Sequence, residues 1–225
     1  MKKTLAIILA LSLLCIMAVG TTLTYFTDTD GATNTMTVGK VTITQNETFN
    51  TNAKLFPYIG AIPTDSDYDS AKNAVTKTVT VTNTGSEIAY IRTLFAFEAV
   101  NGQDPVGTTI HVNYNKDTTV GTWKAVAMDP IQLTEVVDNI EVTTKYYVYS
   151  FTYTASYEKN VETEHSLKQI ALDCSAANEF SNAINGEYDI LALSQAVQKQ
   201  GFDNAEAAFA AAFPYDANTV AGWFN

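Results

Sequence analysis

Between Val75 and Thr82 apolar and hydroxyl side chains alternate, with Val75, Val79 and Val81 on one face and threonines on the other. That two-residue period is the pattern of a half-buried strand. Asn83-Thr84-Gly85-Ser86 supplies a turn, since Asn and Gly accept the backbone angles that tight turns demand. A second run from Ile88 to Ala99 follows at once, and its apolar residues occupy both faces: Tyr90, Leu94 and Ala96 on one, Ile91, Phe95 and Phe97 on the other. Such a strand is covered on both sides, and the two runs predict a hairpin. Earlier, Val38, Val41 and Ile43 with threonines between them predict a first strand. Between Lys145 and Tyr157 the rings of Tyr147, Tyr149, Phe151, Tyr153 and Tyr157 all stand at odd positions, hence on one face. An aromatic stripe of this kind is expected in the core, where the rings bury most area; an exposed stacking platform is the alternative. Further strands are expected at 109–114, 121–128, 140–144 and 167–172. Seven or more short strands divided by Gly, Asn, Asp and Pro predict a mainly β, jelly-roll-like antiparallel β-sandwich over residues 25–189.

The period changes in the last segment, 190–225, which is expected to be a short helix pair docked on the sandwich. Ile190, Leu193, Ala196 and Val197 fall at helical spacing and Gly201 is a natural stop. A second helix is then expected, with Asp203 as cap, Glu206 three residues on, Phe202 at the staple position and Pro214 beyond its end. Helices this short need tertiary burial of their apolar face.

The N-terminus adds a targeting expectation. Lys2 and Lys3 precede an apolar run from Leu5 to Val19, broken by Ser12, and small and polar residues follow from Gly20. This is the layout of a secretory leader over residues 1–24, and the run is short of the roughly 20 residues that span a bilayer comfortably. Two cleavage positions fit, after Gly20 or after Thr24, and an uncleaved anchor is the alternative. A mature chain without Lys2 and Lys3 carries 11 basic and 24 acidic side chains. That balance disfavours nucleic acid and anionic lipid as partners. Cys15 departs with the leader and leaves Cys174 without a partner inside the chain; as a small hydrophobe it is expected to be buried.

Groups for chemistry are sparse. His111 falls in an expected strand, and His165 follows Glu162 and Glu164; neither has zinc-site spacing. No nucleophile elbow and no phosphate loop is present. Asp65, Asp67 and Asp69 place carboxylates at alternate positions, as in the first half of a calcium loop, but Ser70 replaces the turn glycine and Thr76 stands where a bidentate glutamate belongs. They form a weak calcium candidate beside the reading as a solvated acidic loop. No catalytic residue and no cofactor is expected.

Specific stretches resemble a known family. Leu23-Thr-Tyr-Phe-Thr-Asp-Thr-Asp30, then Ala32-Thr-Asn-Thr-Met-Thr-Val-Gly39 and a Val-x-Ile strand, resemble the start of the TasA/camelysin family. Lys77-Thr-Val-Thr-Val-Thr-Asn83-Thr-Gly85-Ser86 through Ala89-Tyr-Ile-Arg92 resembles a family strand, turn and return strand. Tyr146-Tyr147-Val-Tyr and Ala196-Val-Gln198-x-x-Gly-Phe202 resemble further segments of it. The resemblance implies cutting of the leader by a SipW-type signal peptidase and a sandwich secreted to the cell surface or biofilm matrix of a Gram-positive bacterium. It also implies self-assembly into fibres, in which the N-terminal segment of one subunit completes the sheet of the next. On this chain the donated segment is Tyr25 to Ile43, with Tyr25, Phe26, Val38, Val41 and Ile43 as its apolar anchors. A surface adhesin or ligand-binding module is the alternative. Camelysins are also described as metallopeptidases, and no zinc-binding motif maps onto these residues. Mass spectrometry of the exported protein is expected to find an N-terminus at Thr21 or Tyr25; an intact leader would overturn the cleavage reading.

Overall fold

The computed structural model describes residues 40–49, 54–116, 121–176 and 188–224. Among these described residues nine strands form two antiparallel sheets: β1 (Ile43–Phe49), β2 (Val75–Asn83), β3 (Ala89–Glu98), β4 (Ile110–Asn113), β5 (Trp123–Ala127), β6 (Ile131–Val137), β7 (Ile140–Tyr153), β8 (Leu167–Leu172) and β9 (Ile190–Gln198). One sheet runs β1-β2-β8-β4; the other runs β5-β7-β3-β9, with β6 also paired to β7. Two short helices follow, α1 (Ala205–Ala212) and α2 (Ala217–Phe224). The β-sandwich expected from the strand pattern is therefore present.

The alternation in β2 does what its period predicts. Val75, Val79 and Val81 are buried and Thr76 is exposed. Asn83 ends the strand as a fully buried side chain with every polar atom used: its Nδ2 donates to the carbonyls of Glu87 (2.8 Å) and Tyr157 (2.9 Å), and its Oδ1 accepts from the Gly85 amide (3.0 Å). An unsatisfied buried amide would cost about 1–3 kcal/mol, so this knot favours one geometry for the β2–β3 turn.

Strand β3 is buried on both faces. Ile91, Phe95 and Phe97 enter the core between the sheets with Val79, Val81, Phe151, Leu167 and Leu172. On the other face Leu94 and Ala96 pack with Ile131, Leu133, Tyr146, Val148 and Val220, while Tyr90 packs with Val197, Ala208 and Phe209. Helices α1 and α2 thus cover the outer face of this sheet. The aromatic stripe of β7 follows the core expectation from Tyr149 on: Phe151 and Tyr153 are buried, Tyr149 is half-buried against the core, and Phe151 meets Phe95 edge-on at 5.2 Å between ring centroids, whereas Tyr147 is half-buried outside the core clusters with its hydroxyl on the Gly102 carbonyl. Tyr157, beyond the strand, is also buried.

Five expectations are corrected. β2 and β3 do not pair as the expected hairpin: β2 lies in one sheet and β3 in the other, so the turn at 83–86 carries the chain from sheet to sheet. Ile190–Gln200 is not a helix; β9 occupies Ile190–Gln198 and pairs with β3 along its length, so the sandwich extends past residue 189. Ile190, Ala192 and Ala196 face the inter-sheet core while Leu191 and Leu193 face the helix side, and a strand apolar on both faces carries helical spacings by default. The helix pair instead comprises α1 and the unanticipated α2. The cap of α1 is Asn204, whose side chain accepts from the Ala207 amide at 2.9 Å, in place of Asp203. Cys174 is exposed, because Asp173 beside it accepts from the Ser175 amide and hydroxyl and forms a surface turn after β8.

Arg92 stands on the outer face of β3, 4% exposed, and forms no salt bridge among the described residues. Its Nε donates to Gln195 Oε1 (2.8 Å), and the guanidinium lies 4.6 Å from the Phe209 ring centroid and 5.5 Å from those of Phe213 and Trp223. Burial pulls its pKa down to about 10, which leaves it charged at neutral pH. The aromatic faces on α1, the loop after it and α2 supply the compensating field. Phe95→Ala, which empties the centre of the core, is expected to lower unfolding free energy by about 3–5 kcal/mol in chemical denaturation.

Candidate functional site

The functional candidates divide into an N-terminal strand, an acidic loop and two histidines. Gly20, Thr24, Tyr25, Phe26 and Val38 lie outside the described residues; Val41 and Ile43 lie within them. The segment that carries Val41 enters β1 along the β2–β3 turn, held by main-chain groups. The Thr84 and Gly85 amides donate to the Thr42 carbonyl (2.8 and 2.9 Å), the Ser86 amide donates to the Lys40 carbonyl (2.8 Å), and the Lys40 amide donates to Ser86 Oγ (2.9 Å).

Beyond this clasp β1 pairs with β2 antiparallel, from Ile43 opposite Asn83 to Phe49 opposite Lys77. The strand is an edge, and its side chains contribute little burial. Ile43 is half-buried against the core, Gln45 is half-buried, and the rest are exposed. Gln45 bridges to the other sheet, donating to the Ala192 carbonyl (3.3 Å) and accepting from Ser194 Oγ, which closes that flank of the sandwich. Lys77 reaches Glu47 (3.1 Å) and lies over the Phe49 ring. The hold on β1 is therefore mainly the ladder of amides and carbonyls, which is indifferent to the identity of most side chains.

Gly85 makes the close approach possible. A β-carbon there would press into the Lys40 carbonyl oxygen and stand 2.7 Å from the Thr42 nitrogen. Backbone on both sides cannot yield without loosening the clasp.

The acidic loop is engaged by protein groups at each carboxylate. Asp65 accepts from Thr64 Oγ1 (3.0 Å), Asp67 from Lys168 Nζ (2.5 Å) and Asn113 Nδ2 (3.0 Å), and Asp69 from the Ala71 amide (2.9 Å), where it caps a 3-10 turn at Ser70–Lys72. The Lys168 ammonium, then the Asn113 amide, hold the Asp67 carboxyl below the ordinary aspartate range. Gln169 on β8 fixes the loop further by accepting from the Tyr68 amide and donating to its carbonyl, both at 2.7 Å. The three carboxylates do not converge, and among the described residues no group of three or more His, Cys, Asp or Glu side chains is placed to hold a metal ion.

His111 on β4 lies 3.1 Å from Asp173 Oδ2, and that carboxylate also accepts from Ser175 Oγ (2.6 Å). The acid stands between histidine and hydroxyl, an order opposite to that of a nucleophilic triad, in which the imidazole contacts the hydroxyl. The His165 carbonyl accepts from the Asn115 amide at 3.0 Å. An open surface cleft of about 330 Å3 is lined by Lys54, Phe56, Ser70, Asn73 and Thr76, with Lys54 its one ionisable group. No helix among the described residues is long and apolar enough to cross a membrane.

The sequence pattern marked the turn at 83–86 but not its role as the seat of the N-terminal strand; Gly85 was the available signal. It did not mark β6 either, although Asp138-Asn139 is a two-residue turn signal. Comparison with family models, curated proteins and solved structures finds no match to this chain. Gly85→Ala is expected to increase amide hydrogen exchange across 40–49 by at least tenfold while the core strands β3 and β7 keep their protection; unchanged exchange at 40–49 would count against the clasp.

Proposed function

We propose that the protein is an exported structural subunit of the cell surface or biofilm matrix, which assembles into fibres by donation of an N-terminal strand. The observation that carries this reading is the character of β1: an edge strand held mainly by main-chain hydrogen bonds, with one half-buried apolar anchor, Ile43, and one half-buried polar one, Gln45. Main-chain pairing is available to any extended segment of suitable length, so a segment from a second subunit can occupy a sheet edge by the same bonds.

Composition supports the same reading. The segment from Tyr25 to Ile43 is rich in threonine and carries one basic residue, Lys40. It offers β-branched side chains to a pleated surface with little like-charge cost. The acidic excess keeps free subunits apart in solution, so association depends on the geometry of edge pairing rather than on general stickiness. The resemblance of the leader junction to the TasA/camelysin family adds the expectation of processing by a SipW-type signal peptidase and of secretion.

Electron microscopy of the processed protein at rising concentration is expected to show ordered filaments, and deletion of residues 25–38 is expected to abolish them with the β-rich circular dichroism spectrum retained. A processed protein that stays dispersed at every concentration, or a deletion variant that still forms filaments, would sink strand donation.

A further inference from the structure

Among the described residues a second edge of the sandwich is open, and its geometry is self-complementary. β6 and β7 are joined by Asp138-Asn139, both with left-handed φ (51° and 65°), and Val137 stands opposite Ile140. A two-residue turn of this kind closes on a hydrogen-bonded pair, and hydrogen-bonded and non-hydrogen-bonded pairs alternate from there. The amides and carbonyls of Ile131, Leu133, Glu135 and Val137 therefore point to β7. Those of Gln132, Thr134 and Val136 point outward, and β7 is the one strand paired to β6 among the described residues.

The devices that protect free edges are missing here. The seven residues Ile131–Val137 contain no proline, lysine, arginine or glycine, and the pairing with β7 runs without a bulge. Near the tip, Val136 is 68% exposed and Ile140 is 66% exposed. Glu135 is the only charge on the strand.

We propose that β6 pairs antiparallel with β6 of a second copy of this chain, about a two-fold axis through Thr134. Side chains opposite each other must share a face, so the axis passes through a residue position, and shifts change the register by two. With the axis at Thr134, that residue pairs with itself and Gln132 pairs with Val136, so every outward amide and carbonyl of the strand finds a partner. Glu135 then stands opposite Leu133. Moving the axis to Leu133 sets Val136 opposite Pro130, which has no amide to give. Moving it to Glu135 places two carboxylates directly opposite, a repulsive pair. One register thus satisfies hydrogen bonding and charge together, and it needs nothing beyond a second copy. The pairing merges two five-stranded sheets into one continuous sheet and covers Val136 with Gln132 of the second copy.

The test uses sedimentation and cross-linking of the purified protein. Thr134→Pro removes an outward amide that β7 does not use, and it is expected to convert a concentration-dependent dimer to monomer with an unchanged circular dichroism spectrum. In a Cys15→Ser, Cys174→Ser background, Thr134→Cys is expected to oxidise to a covalent dimer, since a hydrogen-bonded pair sets α-carbons about 5.5 Å apart, within disulfide reach. Val136→Cys alone is expected to cross-link at least tenfold less, its mate lying about 14 Å away along the strands. A mixture of Val136→Cys and Gln132→Cys is expected to cross-link as well as Thr134→Cys. A wild-type protein that stays monomeric, a dimer that survives Thr134→Pro, or equal cross-linking at 134 and 136 would overturn the proposal. Dimers without filaments would sink strand donation and leave this contact standing; filaments without cross-linking through Thr134→Cys would do the reverse.

Discussion

The burial of β3 on both faces is the constraint from which the architecture follows. A strand with Ile91, Phe95 and Phe97 on one side and Tyr90, Leu94 and Ala96 on the other cannot lie at a solvated surface. The facing sheet covers the first set. The second set requires a further layer, which α1 and α2 provide. Neither helix would be stable alone at eight residues, so the dependence is mutual: the sheet gives the helices their apolar floor, and the helices dry the sheet. Arg92 sits at the join, its charge bounded by Phe209, Phe213 and Trp223, so the helical layer is tied to β3 by orientation as well as by area.

Against that double-sided centre the edges differ in kind. β1 is held by amides and carbonyls and by the close approach that Gly85 permits, with most side chains exposed. β6 is anchored on one face through Ile131 and Leu133 under α2, and it presents an outward ladder free of charge at its centre. The proposed assembly rests on this contrast between core and edge, because edges exchange partners at a smaller cost than cores do. The acidic excess of the chain opposes indiscriminate contact between copies and leaves pairing geometry to select the contact.

Polar groups in the loops serve the same framework. Asn83 fixes the turn on which β1 rests, and Gln169 fixes the loop that carries Asp65, Asp67 and Asp69. Asp67 is occupied by Lys168 and Asn113, and Asp173 by His111 and Ser175. These side chains are spent on the positions of loops and turns.

What the sequence determined by itself was a set of features fixed by local periodicity and turn chemistry. The alternation of β2, the two apolar faces of β3, the odd-position rings of β7, the bounds of β8 and the turn at 83–86 all follow from which way successive side chains point, a property of a few neighbouring residues. Tertiary structure decided the rest. Ile190–Gln198 is apolar on both faces, which satisfies helix and strand alike, and only the presence of β3 on one edge and of cover on both sides made it β9. The acidic loop has the carboxylate spacing of only the first half of a calcium loop, and the approach of Lys168 and Asn113 from other strands shows how Asp67 is engaged. Spacing along a chain constrains which groups share a face; which groups share a site depends on strands distant in sequence arriving together, and that is fixed by the packing of the whole.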